Sequence, residues 1–400
     1  MEVSRRRFIT QAVAGVTAAN FAGERAATAQ PQEKEYRACI IGDSKQGGFG
    51  HSFHRVFEVC PNVRVVGLAD PDEAGRAKFA AEAKAERTYA DYREMLDKEQ
   101  PDLVAIAPRW TIRHREYLLA CAAVGAHGIM EKPLAADLTE ADEMVTAIEA
   151  KNLKWGIGFN FRVLPEVQHA RKAIMEEGFI GDVLEVRGRG KEDYRAGGED
   201  LLVLGTHIFD LMRFFLGDPQ WVAADITVDG RPAVPEDRHE ATEPLGSVAG
   251  DRVHAVYGFP GGVNGYFASA KNPDGNGGRW GLDLYGSKGM VTIRQNGGAN
   301  LRVLRDASWA PGGKDVTWER IPGESKAHFS NLEAERYLPI VSSVLACIGT
   351  DRLPEVSLQD GRASLEMVQG AYAAHFSASR LSFPLQARKH PLSLSWLRAG

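Results

Sequence analysis

The sequence predicts an α/β protein in two halves, a parallel sheet first and a mainly antiparallel sheet after it. Three stretches carry the prediction. Residues 101–134 run from an apolar strand at 103–107, through a turn at Pro108 and a helix, to a short strand ending in Glu131-Lys132-Pro133. Two apolar runs joined by a helical crossover make a βαβ unit, and such units pair their strands in parallel. Residues 37–41 form another apolar run, followed by a glycine-rich turn from Gly42 to His51 and an apolar run at 63–69. Beyond about Arg252 the pattern changes to short alternating runs at 253–259, 263–270, 280–285, 290–294, 301–304 and 316–321, separated by glycine turns. Alternation of that kind marks an antiparallel sheet.

The remaining elements follow in order. A helix is expected over 52–59, and another over 92–98 leads back to the strand at 103–107. Thr139-x-x-Asp142 reads as a capping start for a helix over 139–150. A strand at 154–159 opens the second half, with a helix over 165–177 that Gly178 and Gly181 stop before a strand at 183–190. The polar, proline-bearing stretch 225–250 reads as a loop. Helices over 331–348 and 361–379 close the chain, and a peripheral tail follows.

Composition narrows the function. At 400 residues and 44% hydrophobic, the chain can bury more than one core. Its net charge of −5 and lack of a basic stripe argue against a nucleic-acid partner. Its four cysteines are scattered, with no metal-ligand or disulfide spacing, so neither a metal site nor a disulfide framework is expected. Ser4-Arg5-Arg6-Arg7-Phe8-Ile9-Thr10, a mildly apolar region and Ala27-Thr28-Ala29 fit a twin-arginine export signal over 1–29. That apolar region is too short to span a bilayer. The expected location is periplasmic or secreted, with a cofactor loaded before export and held tightly.

In open α/β sheets, ligands collect where strands end. Lys132 sits at such an end and is a candidate proton donor or acceptor, the alternative being a surface salt bridge. Gly42, Gly48 and Gly50 suit close approach of backbone amides to a pyrophosphate, although their spacing is irregular and such a turn can also bind nothing. Asp70, at the end of the strand 63–69, can accept from an adenosine ribose and would repel a 2′-phosphate. That favours NAD and leaves NADP open. Ile208, Leu211, Met212 and Phe215 make one apolar helical face, which places His207 at a helix start, where an imidazole serves as acid–base or as a cap.

His127-x-x-x-Glu131-Lys132-Pro133-Leu134 resembles the signature of the glucose–fructose oxidoreductase, inositol dehydrogenase and rhizopine catabolism (Gfo/Idh/MocA) family, and the resemblance covers about residues 36–385. It implies a Rossmann domain over 36–156, an α/β substrate and oligomerisation domain with a large, mainly antiparallel sheet over 157–385, and a tail over 386–400. Pro108 and His114 resemble the family's loop over the nicotinamide ribose, with bulkier residues at Arg109-Trp110. Gly158-Phe159-Asn160-Phe161-Arg162 resembles its substrate-facing strand end, and the stretch from Gly205 to Asp210 resembles the segment whose histidine faces the reacting carbinol.

The resemblance therefore implies Lys132 and His207 as catalytic residues. It implies Gly42, Gly48, Gly50, Asp70, Pro108, His114, Glu131 and Lys132 at the cofactor, and Asn160, Arg162, His207 and Asp210 at the substrate. One departure stands out: Val203 occupies the place of the aspartate typical of the family's dehydrogenases, with Glu199 and Asp200 as nearby candidates to replace it. The expected function is an exported oxidoreductase acting on a sugar or polyol hydroxyl, assembled as a homodimer or homotetramer. Two alternatives stay open: a lyase, epimerase or glycosidase working by transient oxidation, and a binding protein without chemistry.

Overall fold

The computed structural model describes residues 34–271, 277–295, 299–313, 316–321 and 333–393. The expected export signal and the end of the expected tail lie outside the described residues. Strands β1 (Tyr36–Ile41), β2 (Val63–Ala69), β3 (Arg87–Tyr89), β4 (Leu103–Ile106), β5 (His127–Met130) and β6 (Trp155–Ile157) form a parallel sheet in the order β3-β2-β1-β4-β5-β6. Helices α1 (Glu73–Ala83), α2 (Tyr92–Glu99), α3 (Thr111–Ala123) and α4 (Leu138–Glu149) connect the strands. The central strands are covered on both faces, which is why β4 is apolar at every position. The chain leaves β1 for β2 on one side and resumes at β4 on the other, so a crevice opens at the carboxyl ends of β1 and β4.

Two local expectations fail in this half. The turn after β1 does not pass into a helix over 52–59; a single 3-10 turn forms at Phe53–Arg55. Phe49 instead anchors the turn, buried 4.1 Å from the Phe79 ring centroid, and aromatic packing replaces the helix. Helix α4 is capped by Asp137, whose carboxylate accepts from the Glu140 amide at 3.0 Å, and not by Thr139.

In the second half, α5 (Pro165–Arg171) runs into a π-helical turn, Lys172–Glu176. Then come β7 (Val183–Arg189), α6 (Gly198–Val203), α7 (Gly205–Leu216), β8 (Trp221–Val228), β9 (Arg231–Pro232) and a small hairpin of β10 (His239–Glu240) with β11 (Ser247–Val248). Strands β12 (Arg252–Gly258), β13 (Asn264–Ala270), β14 (Gly281–Gly286), β15 (Gly289–Gln295) and β16 (Ala299–Leu304) precede α8 (Leu338–Cys347), α9 (Leu358–Phe376) and β17 (Leu381–Ser382). A large mixed sheet runs β16-β15-β14-β7-β13-β12-β8-β17, with β9 paired to β8. Among the described residues of this sheet, only β7 and β13 pair in parallel.

One face of this sheet packs on helices; on β13 it buries Gly265, Phe267 and Ser269. On the other face Tyr266 is exposed. The stretch 225–250, expected as a loop, begins inside β8, whose Val222 and Ile226 are fully buried. The segment 316–321 contributes a bridge between Glu319 and Val303 rather than a strand. The expected helix over 331–348 is divided where Pro339 enters the first turn of α8, after a 3-10 turn at Glu333–Tyr337. The tail is not peripheral throughout: Arg388 donates to Asp142 of α4 at 2.7 Å and to Glu366 of α9 at 2.8 Å.

Candidate active site

The glycine turn and the Glu131-Lys132-Pro133 segment meet in the crevice. Gly47, Gly48 and Gly50 all take positive φ, at 77°, 64° and 54°. Gly50 is the tightest of them, because a Cβ there would stand 2.2 Å from Glu131 Oε1. That close approach lets the His51 backbone amide and its ring Nδ1 both meet Glu131 Oε1 at 2.7 Å. Burial alone would push the Glu131 carboxyl up. His51 and Lys132 outweigh it and hold the group down at about 2, so Glu131 stays a buried anion.

Lys132 lies beside that anion, 3% exposed, and donates from Nζ to the Val203 carbonyl at 3.2 Å. Burial lowers its ammonium to about 8 against the opposing pull of Glu131 and Glu243. The missing side-chain carboxylate at position 203 is thus met by a backbone carbonyl. Neither Glu199 nor Asp200 replaces it. Glu199 accepts from Thr242 Oγ1 at 2.6 Å and from the Thr242 amide at 3.0 Å, while Asp200 accepts from Ser269 Oγ at 2.6 Å and from the amides of Lys191 and Glu192.

His207, in the first turn of α7, is wedged edge-on among Phe159, Phe161 and Trp280 with ring centroids 5.2–5.9 Å away. Burial, then Lys132 and His51, drive its pKa well below the usual histidine range, so the ring is neutral. Lys132, His207 and Asn160 share a cavity of about 400 Å³ with His51, Arg109, Trp280 and Gln295.

Two expected substrate residues are elsewhere. Arg162 and Asp210 do not line this cavity. They pair at 3.4 Å behind it, and Arg162 also meets Asp360 at 2.7 Å. Asp360 completes the capping box of α9 with Ser357 and pairs with Arg213 of α7 at 3.0 Å. The cluster therefore braces α7 and α9 against the strand-end segment. Burial raises Asp210 to about 7, opposed by Arg162.

Expected cofactor residues divide in the same way. His114 is fully buried, its Nε2 2.7 Å from the Pro108 carbonyl and its Nδ1 2.9 Å from the Pro133 carbonyl. It ties the β4 and β5 loops together and leaves no ring atom for a ligand. Asp70, also fully buried, accepts from the amides of Ser44 at 3.1 Å and Asp72 at 2.9 Å, which braces the glycine turn. Gly42 packs under the Phe49 ring, whereas a Cβ on Gly48 would meet nothing within 4 Å. Gly42 also lines a second cavity, of about 190 Å³, with Ala69, Pro71, Tyr92 and Arg113. Two cavities flanking one glycine turn at a sheet switch point fit a dinucleotide. Its adenosine half would lie over Gly42 and Tyr92, and its nicotinamide half would lie toward Lys132.

Sequence reasoning missed His51, Trp280, Gln295 and Glu243. For Gln295 a signal existed, a polar residue where the alternation of β15 calls for an apolar one. Glu243 had none, because a loop remote in sequence brings it in, and His51 closes the glycine turn without a motif of its own.

A Rossmann sheet joined to an open-faced mixed sheet, with a buried lysine between them, defines a nucleotide-dependent oxidoreductase architecture. Residues 36–159 match the oxidoreductase family model for the NAD-binding Rossmann fold, and residues 172–383 match that for the family's C-terminal α/β domain. The chain belongs to the Gfo/Idh/MocA oxidoreductase family, and its cofactor is NAD. It is similar to levoglucosan dehydrogenase of Pseudarthrobacter phenanthrenivorans, 28% identical over 271 residues, 61% of this chain and 67% of that protein. It is 25% identical to myo-inositol 2-dehydrogenase of Thermotoga maritima over 305 residues, 74% of this chain and 84% of that protein. A solved levoglucosan dehydrogenase in complex with NADH and levoglucosan superposes with a TM-score of 0.71 at 22% identity, covering 88% of this chain and all of that one.

Proposed function

We propose that this NAD-dependent oxidoreductase of CH–OH donors acts on a hydroxyl of a sugar or polyol, with Lys132 as the group that receives the hydroxyl proton. The observation that carries the reading is Lys132 itself: a buried amine lowered to about 8, facing a cavity it shares with a neutral His207. Bound NAD supplies the acceptor for the hydride that leaves the carbinol carbon. As the C–O bond becomes a carbonyl, the hydroxyl proton passes to the neutral Lys132 amine, and the resulting ammonium has the Val203 carbonyl and Glu131 close by. His207 serves as a hydrogen-bond partner that fixes the hydroxyl and not as an acid, because its burial keeps it unprotonated. Relatives named for levoglucosan and myo-inositol support a cyclic polyhydroxylated substrate. Replacing Lys132 by Met should abolish turnover while NAD remains bound. Unchanged turnover would remove Lys132 from the mechanism.

The twin-arginine pattern at 4–10 and the small residues at 27–29 support export with a captive cofactor. Denaturing the purified protein and weighing the released nucleotide tests this, and an empty protein counts against it. A captive cofactor also supports the reading in which one sugar is oxidised and re-reduced for elimination or epimerisation; a product with an unchanged oxidation state would select that reading. The exposed Tyr266 on the open sheet face supports a dimer or tetramer, to be measured by light scattering.

A further inference from the structure

Alternation on the inner face of the mixed sheet buries Leu282 and Leu284 of β14 together with Val291 and Ile293 of β15. One step further along each strand, the same face receives Trp280 and Gln295, where the Gln295 backbone N–H donates to the Trp280 backbone carbonyl at 3.1 Å. Gln295 is only 3% exposed, yet neither its Oε1 nor its Nε2 has a hydrogen-bond partner, and the Trp280 Nε1 has none. The Nδ1 of neighbouring His207 is likewise unpartnered. All three side chains line the cavity that holds Lys132. A buried donor or acceptor left unpaired costs about 1–3 kcal/mol, so three such side chains around one cavity describe a recognition surface and not packing.

The charges around the cavity indicate what it recognises. Arg195 meets Asp193 at 2.6 Å and Glu243 at 2.7 Å, Arg109 meets Glu243 at 3.1 Å, and Lys191 meets Asp193 at 3.4 Å. These three cations share two acids of the same chain, and Lys132, Arg336 and Glu333 also line the cavity. The Arg109 Nε on this cavity is without a hydrogen-bond partner, and beside it stand unpartnered neutral groups: the Gln295 side-chain acceptor and donor, the Trp280 indole donor and the His207 Nδ1. Among them the Gln295 Oε1 requires a donor, which a hydroxyl supplies and an ionised carboxylate does not.

We infer that Gln295 and Trp280 are specificity-determining residues that hold hydroxyls of an uncharged polyol away from its reacting carbon, and so select it over a carboxylated or phosphorylated sugar. The inference rests on the reading of the Lys132 cavity as the substrate site. It is tested by calorimetric titration of the NADH-loaded protein with myo-inositol, levoglucosan, D-glucose, D-glucuronate and D-glucose 6-phosphate. A neutral compound should bind best, and Gln295→Leu and Trp280→Phe should each weaken it roughly 10- to 100-fold with unchanged NADH affinity. Three results overturn the inference: preferential binding of an anion, no binding of any neutral compound, or variants that bind as tightly as the parent. Lys132→Met separates the two readings. Persistent turnover in that variant defeats the assigned chemistry and leaves the binding result standing.

Discussion

At the scale of single residues, the site depends on one amine held between opposing pressures. Burial lowers Lys132 and Glu131 raises it, with the outcome at about 8. Oxidation needs the neutral amine, so kcat/KM for the alcohol should rise with pH to a plateau above about 8, and carbonyl reduction should fall across the same window. Glu131→Gln removes a charge that favours the ammonium, so the rising limb should move to lower pH. A profile that stays in place would show that Glu131 does not tune the base. Initial rates from pH 6 to pH 10 measure both.

At the scale of elements, the glycine turn shows what was legible in the sequence and what was not. Its glycines were visible, and so was the parallel sheet around it, because apolar runs and turn residues are local signals. The missing helix over 52–59 was not, because it is displaced by Phe49 packing on Phe79, a contact across 30 positions that no local pattern contains. Lys132, His207 and Asn160 were readable from motifs and do share a cavity. Arg162 and Asp210 carried the same motif signal, yet their chemistry is satisfied by Asp360 and by each other. The turn also makes a graded prediction. Gly48→Ala meets open space and should cost about 1–2 kcal/mol for its left-handed backbone alone. Gly50→Ala adds a clash with Glu131 and with the Ala107 carbonyl and should cost more than Gly48→Ala, with weaker NAD binding. Urea denaturation and nucleotide titration of the two variants check the order.

At the scale of the whole molecule, α9 joins the halves. Its first turn holds Arg162 and Arg213 through Asp360, and its flank meets α4 through Arg362 and Asp142. Asp210 sits in that junction with its carboxyl raised to about 7. A carboxyl raised on folding contributes stability that is full below its unfolded value, near 4, and is lost as pH climbs through about 7. The parent should therefore lose stability relative to Asp210→Asn between pH 4 and pH 7. Parallel curves for the two proteins by urea denaturation would show that the junction does not titrate this way.

The contact of Gly50 and His51 with Glu131 has a practical consequence for anyone redesigning this enzyme's nucleotide preference. Transplanting a regular glycine loop from a relative would remove the histidine that keeps Glu131 ionised, and with it a charge that sets the basicity of Lys132. Such a chimera would accept its new nucleotide and still be a poor catalyst, until the carboxylate under the loop was given another donor.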